Sequence, residues 1–264
     1  MKCFALVLFA SPLMAGSLPT IGKQPWLVQY VAYEHKQLQF TINGEGIGQL
    51  VPMNEKGKPL DDKHAIKFLP VVEDVSADGK VAAKHIQKDG WEAVTPAGVN
   101  AKTVTYRGTA GGNSRFEITV EFDGKEVRAG GKILDKGTLI NPRFRVRVQV
   151  PNIYLYDKDP GKLAAKASKD RISLVRSDGK KLKLEVLEVL DAEAPEAGGT
   201  GVSQARIEMA GFAGKRLELD AGAAGSLEFF NEGIAPLSQG FSFFWMADPA
   251  KDPQGKARLS FQVR

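Results

Sequence analysis

The densest chemical group in this sequence is a run of alternate arginines. In Arg143-Phe-Arg-Val-Arg-Val-Gln-Val150 every second side chain from Arg143 to Arg147 is a guanidinium. On one face of a strand such neighbours stand about 6.6 Å apart. A row of planar donor forks suits carboxylates or sulfates along an anionic polymer, such as a uronic or sulfated polysaccharide. It suits cross-strand ion pairing equally well. The run Arg115-Phe-Glu-Ile-Thr-Val-Glu-Phe122 carries Glu117, Thr119 and Glu121 on one face. We therefore expect the two runs to be neighbours, with Arg145 and Arg147 facing Glu117 and Glu121.

Aromatic rings give the second clue. Tyr154 and Tyr156 share a face just before an acidic turn, and Trp91 follows the Asp89-Gly90 turn among charged residues, a position that favours exposure. Flat exposed rings stack on sugars while nearby carboxylates and amides take the hydroxyls. Trp91, Tyr154, Tyr156, Arg143, Arg145 and Arg147 are thus the candidate ligand-binding residues. Phe229-Phe230 and Phe241-Ser-Phe-Phe-Trp245 read as core.

Signatures of catalysis are missing. The chain has no Gly-x-Ser-x-Gly elbow, no phosphate-binding loop and no His-Glu-x-x-His. His35, His64 and His85 are scattered, and the single cysteine, Cys3, excludes both a disulfide framework and a cysteine zinc site. The carboxylate pairs Asp61-Asp62, Glu73-Asp74 and Asp157/Asp159 would serve a glycosidase only if the fold set two of them across a cleft. Asp157-x-Asp159-x-Gly161 opens like a calcium loop, yet no oxygen ligands follow at the later positions, so it reads as a turn. No metal and no cofactor is expected.

The elements that must position these residues are strands. Period-two alternation in 115–122 and 143–150 recurs at 37–42, 65–72, 172–176, 181–190, 204–209, 215–219, 226–230, 241–246 and 257–263. Asp-Gly-Lys occurs at 78–80, 123–125 and 178–180, a strong hairpin signal. One short helix is expected near 161–169, after Asp159-Pro160. Residues 26–33 fit a helix or a strand. These features predict an all-β protein of antiparallel β-sandwich type. The Asp157–Gly161 turn suggests two sandwich units, 18–158 and 159–264, and a single large sandwich over 18–264 is the alternative. The small, acidic stretch 191–201 reads as a long exposed loop.

Composition bounds the partners. Lys and Arg number 36 against 31 Asp and Glu, in 264 residues with 43% apolar content. That excess is too small for a nucleic-acid binder, and the apolar content supports a real core. The N-terminus, Met1-Lys2-Cys3 followed by an apolar run to Leu13 and the small residues Ala15, Gly16 and Ser17, has the form of a secretory signal peptide over 1–17. The run is shorter than the ~20 residues of a membrane span, so no membrane insertion is expected after its removal. Leu13-Met-Ala-Gly16 resembles the start of a lipoprotein box, but Ser17 stands where that box needs cysteine.

The expected protein is therefore a secreted or periplasmic, bacterial, non-catalytic binding or structural module, with carbohydrate or an anionic cell-envelope polymer as partner. The alternatives are a polysaccharide-active enzyme using a carboxylate pair and an envelope assembly component. Residue types alone leave the oligomeric state open. Export should cut the chain between Ala15 and Leu18, and mass spectrometry of the exported protein will show it. A mature form that keeps Met1 or carries a lipid mass refutes the leader.

Overall fold

The computed structural model describes residues 16–154, 159–186, 199–231 and 240–264. The chain is all-β, with one short α-helix, as the alternation predicts. β1 (Gln29–His35), β2 (Leu38–Asn43), β3 (Gly48–Pro52), β4 (Ile66–Val75) and β5 (Val81–Lys84) form an antiparallel meander. The two-residue strands β6 (Glu92–Ala93) and β7 (Gly98–Val99) precede the long strands β8 (Thr103–Ala110), β9 (Ser114–Asp123), β10 (Glu126–Asp135) and β11 (Pro142–Pro151). Helix α1 (Pro160–Ala167) leads to β12 (Arg171–Arg176), β13 (Lys181–Glu185), β14 (Val202–Glu208) and β15 (Arg216–Asp220). β16 (Gly225–Asn231), β17 (Gly240–Ala247) and β18 (Leu259–Val263) complete the order.

Local chemistry explains most of these boundaries. Each Asp-Gly-Lys turn joins two antiparallel strands, and Gly79, Gly124 and Gly179 take the positive φ that such turns demand. Asp159 caps α1: its Oδ1 accepts the N–H groups of Gly161 at 3.1 Å and Lys162 at 3.2 Å, while Pro160 fills the first helical position. That cap is what Asp159 does; Asp157, its partner in the calcium-like spacing, lies outside the described residues. The ambiguous stretch 26–33 becomes a turn, closed by Gln29 N–H to Trp26 carbonyl at 3.0 Å, and then β1. The loop expected at 191–201 lies mostly outside the described residues, as does the C-terminal half of the expected strand 181–190.

Hydrogen bonding links all the strands, and the pairings divide into two layers. One runs β7, β1, β2, β3, β4, β11, β17, β16, with β5 beside the far end of β4. The other runs β6, β8, β9, β10, β18, β15, β14, β12, β13. A single residue pair, Val202 with Leu227, joins β14 of the second layer to β16 of the first. Strands from before and after residue 159 pair side by side, β11 with β17 and β10 with β18. No helix among the described residues is long and apolar enough to cross a membrane.

The position of β11 corrects one expectation. Its neighbours are β4 and β17, not the 115–122 strand, which pairs with β8 and β10. Glu117 faces Arg107 of β8 instead, at 3.0 Å. Charge complementarity is satisfied in both places, and the core chooses between them. Phe144 of β11 stacks on Phe116 of β9 across the layers, at 5.7 Å between ring centres. The two runs therefore meet through their apolar faces rather than through their charged ones.

That interlayer core is aromatic. Phe40 lies 5.3 Å from Phe122, Phe68 lies 5.4 Å from Phe261, and Tyr33 stacks on Phe122 at 4.6 Å. Such pairs add about 0.5–1.5 kcal/mol each beyond the burial of their area. Phe40 also meets Phe68 at 5.3 Å, so it ties rings of both layers together. Phe40→Ala should cost about 3–5 kcal/mol in urea denaturation and Phe40→Leu clearly less. Equal losses for the two would show that the ring contacts add nothing to simple burial.

Candidate functional site

The outward face of β4, β11, β17 and β16 gathers the charged residues of the first layer. Because even-numbered residues of β11 enter the core, Arg143, Arg145 and Arg147 must point away from it. Register places Arg143 beside Glu73, and sets Arg147 in one row with Phe244 and Glu228. Glu73 takes the Arg143 Nε at 2.6 Å and an Arg145 nitrogen at 3.3 Å. The other end of the Arg145 guanidinium is bonded by Glu228. Arg147 donates from Nε to the Ser242 hydroxyl at 3.0 Å.

The arrangement decides what this face can do. Arg145 is only 5% exposed, and its positive charge is balanced by carboxylates from the neighbouring β4 and, across β17, from β16. A buried guanidinium needs such partners, because desolvation would otherwise cost several kcal/mol. Its bonds to Glu73 and Glu228 also set it between them. The two carboxylates therefore do not face each other across open space, as a glycosidase requires. Under the two arginines lies Phe244, with its ring centre 4.8 Å from the Arg145 guanidinium and 5.4 Å from that of Arg147. Half-exposed Arg147, Phe244 and Glu228 thus combine donors, an apolar ring and an acceptor.

The other predicted site residues lie elsewhere. Trp91, expected at the surface, is 3% exposed and packs against Tyr106 and Phe116. Its slot is made by two distant glycines: a Cβ on Gly46 would come within 2.4 Å of the indole, and one on Gly108 within 2.8 Å. Trp91 also exchanges backbone hydrogen bonds with Gly16, at 2.9 and 3.2 Å. Tyr154 is buried too, and its hydroxyl donates to Asp170. Burial, and then the Asp170 carboxylate, hold that phenol well above the ordinary tyrosine range, so it stays a donor. It contributes no exposed ring. Tyr156 lies outside the described residues.

Of the remaining carboxylate candidates, Asp61 and Asp74 have structural partners. Asp61 pairs with Lys63 and His64, and Asp74 accepts the backbone N–H groups of Ile140 at 3.0 Å and Asn141 at 2.9 Å. What the sequence reading missed is Phe244, which it assigned to the core. Strict alternation carried the necessary signal, since Phe241, Phe243 and Trp245 go inward and leave Ser242 and Phe244 on the opposite side of β17.

No protein-family model matches the chain, and no curated protein matches it in sequence. Among solved structures, the α-N-acetylgalactosaminidase NagBb from Bifidobacterium bifidum is similar to it. Its quadruple mutant gives a TM-score of 0.51 at 8% identity, and its Gal-NHAc-DNJ complex 0.50 at 11%. Each comparison covers 88% of this chain and 36% or 35% of the enzyme, so the chain spans about a third of the enzyme's length. A galactose mutarotase related enzyme from Lactobacillus acidophilus is similar at a TM-score of 0.43 and 9% identity, over 88% of this chain and 96% of that one. At these identities the likeness is one of fold.

The Arg145 cluster makes a stability prediction. Arg145→Met leaves Glu73 buried with Arg143 alone, and should cost about 3 kcal/mol. Adding Glu73→Leu should recover much of that loss, because the uncompensated carboxylate is then gone. Denaturant unfolding of the two single variants and the double variant gives the coupling directly. Strictly additive losses would show that the pair is not energetically linked.

Proposed function

We propose that the chain is a non-catalytic carbohydrate-binding module, exported by its N-terminal leader, which holds a neutral sugar on the outward face of the first layer. The observation that carries this reading is the row formed by Arg147, Phe244 and Glu228. An apolar ring meets the C–H face of a pyranose, while a guanidinium and a carboxylate beside it take vicinal hydroxyls. The internal balance of Arg145 against Glu73 and Glu228 argues against a grip on a polyanion at this face. Its place between the two carboxylates argues against acid–base hydrolysis there. The fold shared with part of an enzyme named for N-acetylgalactosamine supports a carbohydrate setting.

A glycan array that includes galactose- and N-acetylgalactosamine-terminated neutral sugars tests the assignment. Binding should survive 0.5 M salt, roughly, since surface charge pairing is screened there and a neutral ligand does not depend on it. Phe244→Ala should weaken binding by about tenfold or more without lowering the melting temperature much. Glu228→Gln should weaken it as well. An array with no neutral glycan bound, or equal affinity for Phe244→Ala, overturns the reading.

A further inference from the structure

The second layer presents a different chemistry on its own outward face. Toward β8, β9 and β10 its arginines are matched. Arg107 bonds Glu117 and Glu92, Arg115 bonds Glu92, and Arg128 bonds Glu126. Toward β12 to β15 the balance breaks. Three guanidinium groups, from Arg206, Arg216 and Arg264, converge on the single carboxylate of Glu218, at 3.5, 3.9 and 2.9 Å. Glu218 is the least exposed member of this group, its side chain 19% exposed, while the three arginines are 50%, 44% and 49% exposed. One carboxylate thus orients three outward-facing forks, of which, among the described residues, Arg216 alone has a second carboxylate, Glu208 at 3.2 Å.

Two surface hollows meet at Arg264, of about 450 and 500 Å³. The first is lined by Lys181 and Lys183 of β13 together with Arg206, and the second by Lys169, Lys215 and Arg216. Lys181, Lys183 and Lys215 have no carboxylate partner among the described residues. A lysine left without a partner keeps its attraction for any anion that arrives. Because Lys181 and Lys183 alternate on one strand, their ammonium groups repeat along the hollow at about 6.6 Å. Seven cationic side chains line the track against four carboxylates, Glu218, Asp220, Asp170 and Glu208.

We propose that this track binds an acidic polysaccharide, one bearing carboxylate or sulfate groups along its chain, with the Arg206, Arg216 and Arg264 trio at the centre. Guanidinium forks match both anions in two-point geometry. Ser173 and Gln204 add neutral hydrogen-bonding groups suited to sugar hydroxyls. Among the described residues no aromatic side chain lines either hollow, so the stacking that single-stranded nucleic acid uses is not offered by them. The track lies on the opposite layer from Phe244 and does not depend on the neutral-sugar reading.

Fluorescence titration of the full chain with labelled polygalacturonate and dextran sulfate tests it, with plain dextran, oligothymidylate and anionic phospholipid vesicles as comparisons. At least one acidic polysaccharide should bind at about 50 mM salt and lose roughly tenfold in affinity by about 200 mM, as expected when counterions are released. The Lys181→Gln/Lys183→Gln variant, which removes only exposed and unpartnered groups, should bind roughly tenfold more weakly and melt at the same temperature. Arg206→Gln/Arg264→Gln should bind more weakly still. Whichever polymer binds better identifies carboxylate or sulfate as the preferred anion. Equal affinity for the lysine variant overturns the proposal. So does failure of both acidic polysaccharides to bind, or tighter binding of oligothymidylate or vesicles than of either. Neutral-glycan binding in the lysine variant should match that of the unaltered chain, so failure of one site is distinguishable from failure of the other.

Discussion

Aromatic interleaving between the two layers is the constraint on which the rest of this molecule depends. Phe144 against Phe116, Phe68 against Phe261 and Phe40 against Phe122 fix which residues of each long strand go inward. A strand has only two faces, so what goes outward is fixed at the same time. The three arginines of β11 owe their common orientation to Phe144, Val146, Val148 and Val150 on the other side. A slip of one residue would bury guanidinium groups and expose phenylalanine. The chemistry of both outward faces is in this sense a by-product of how the core closes.

The faces differ in how their charge is used. On the first layer Arg145 is enclosed by carboxylates from β4 and β16, and the result is a rigid group with little net field. On the second layer Glu218 collects three arginines, which leaves an outward excess. The difference comes from the ratio of partners rather than from the number of arginines. A reading that counts basic residues along a strand would rank the β11 face as the anion site, and the ion pairs reverse that ranking.

This reversal shows where sequence reasoning holds and where it stops. Alternation and Asp-Gly-Lys turns are local, and they located β2, β4, β9, β11, β12 and β14 to β18 to within a few residues, and the start of β13. β10 escaped because Gly130-Gly131 breaks its pattern. The gap has a structural cause, since a Cβ on Gly131 would come within 2.6 Å of the Phe144 ring. Partner choice is not local at all. Glu73 and Glu117 are equally good acids on alternating strands, and only the assembled core tells which of them Arg143 and Arg145 will meet. Trp91 fails for the same reason, because its slot is built by Gly46 and Gly108, whose purpose is invisible until the strands are laid together.

The position of β18 has a consequence in time. This strand is the last in sequence, yet it sits in the interior of its layer, between β10 and β15. Ser260 of β18 bonds Glu126 across 134 residues of chain. The second layer therefore has a gap at its middle until β18 is available. Contacts so distant in sequence are slow to form, since loop closure must be met before the pairing rewards it. Until β18 is made, β10 exposes an open edge. The two halves of the layer are thus joined by a strand whose contact with β10 spans 134 residues, and their union waits on that one distant pairing.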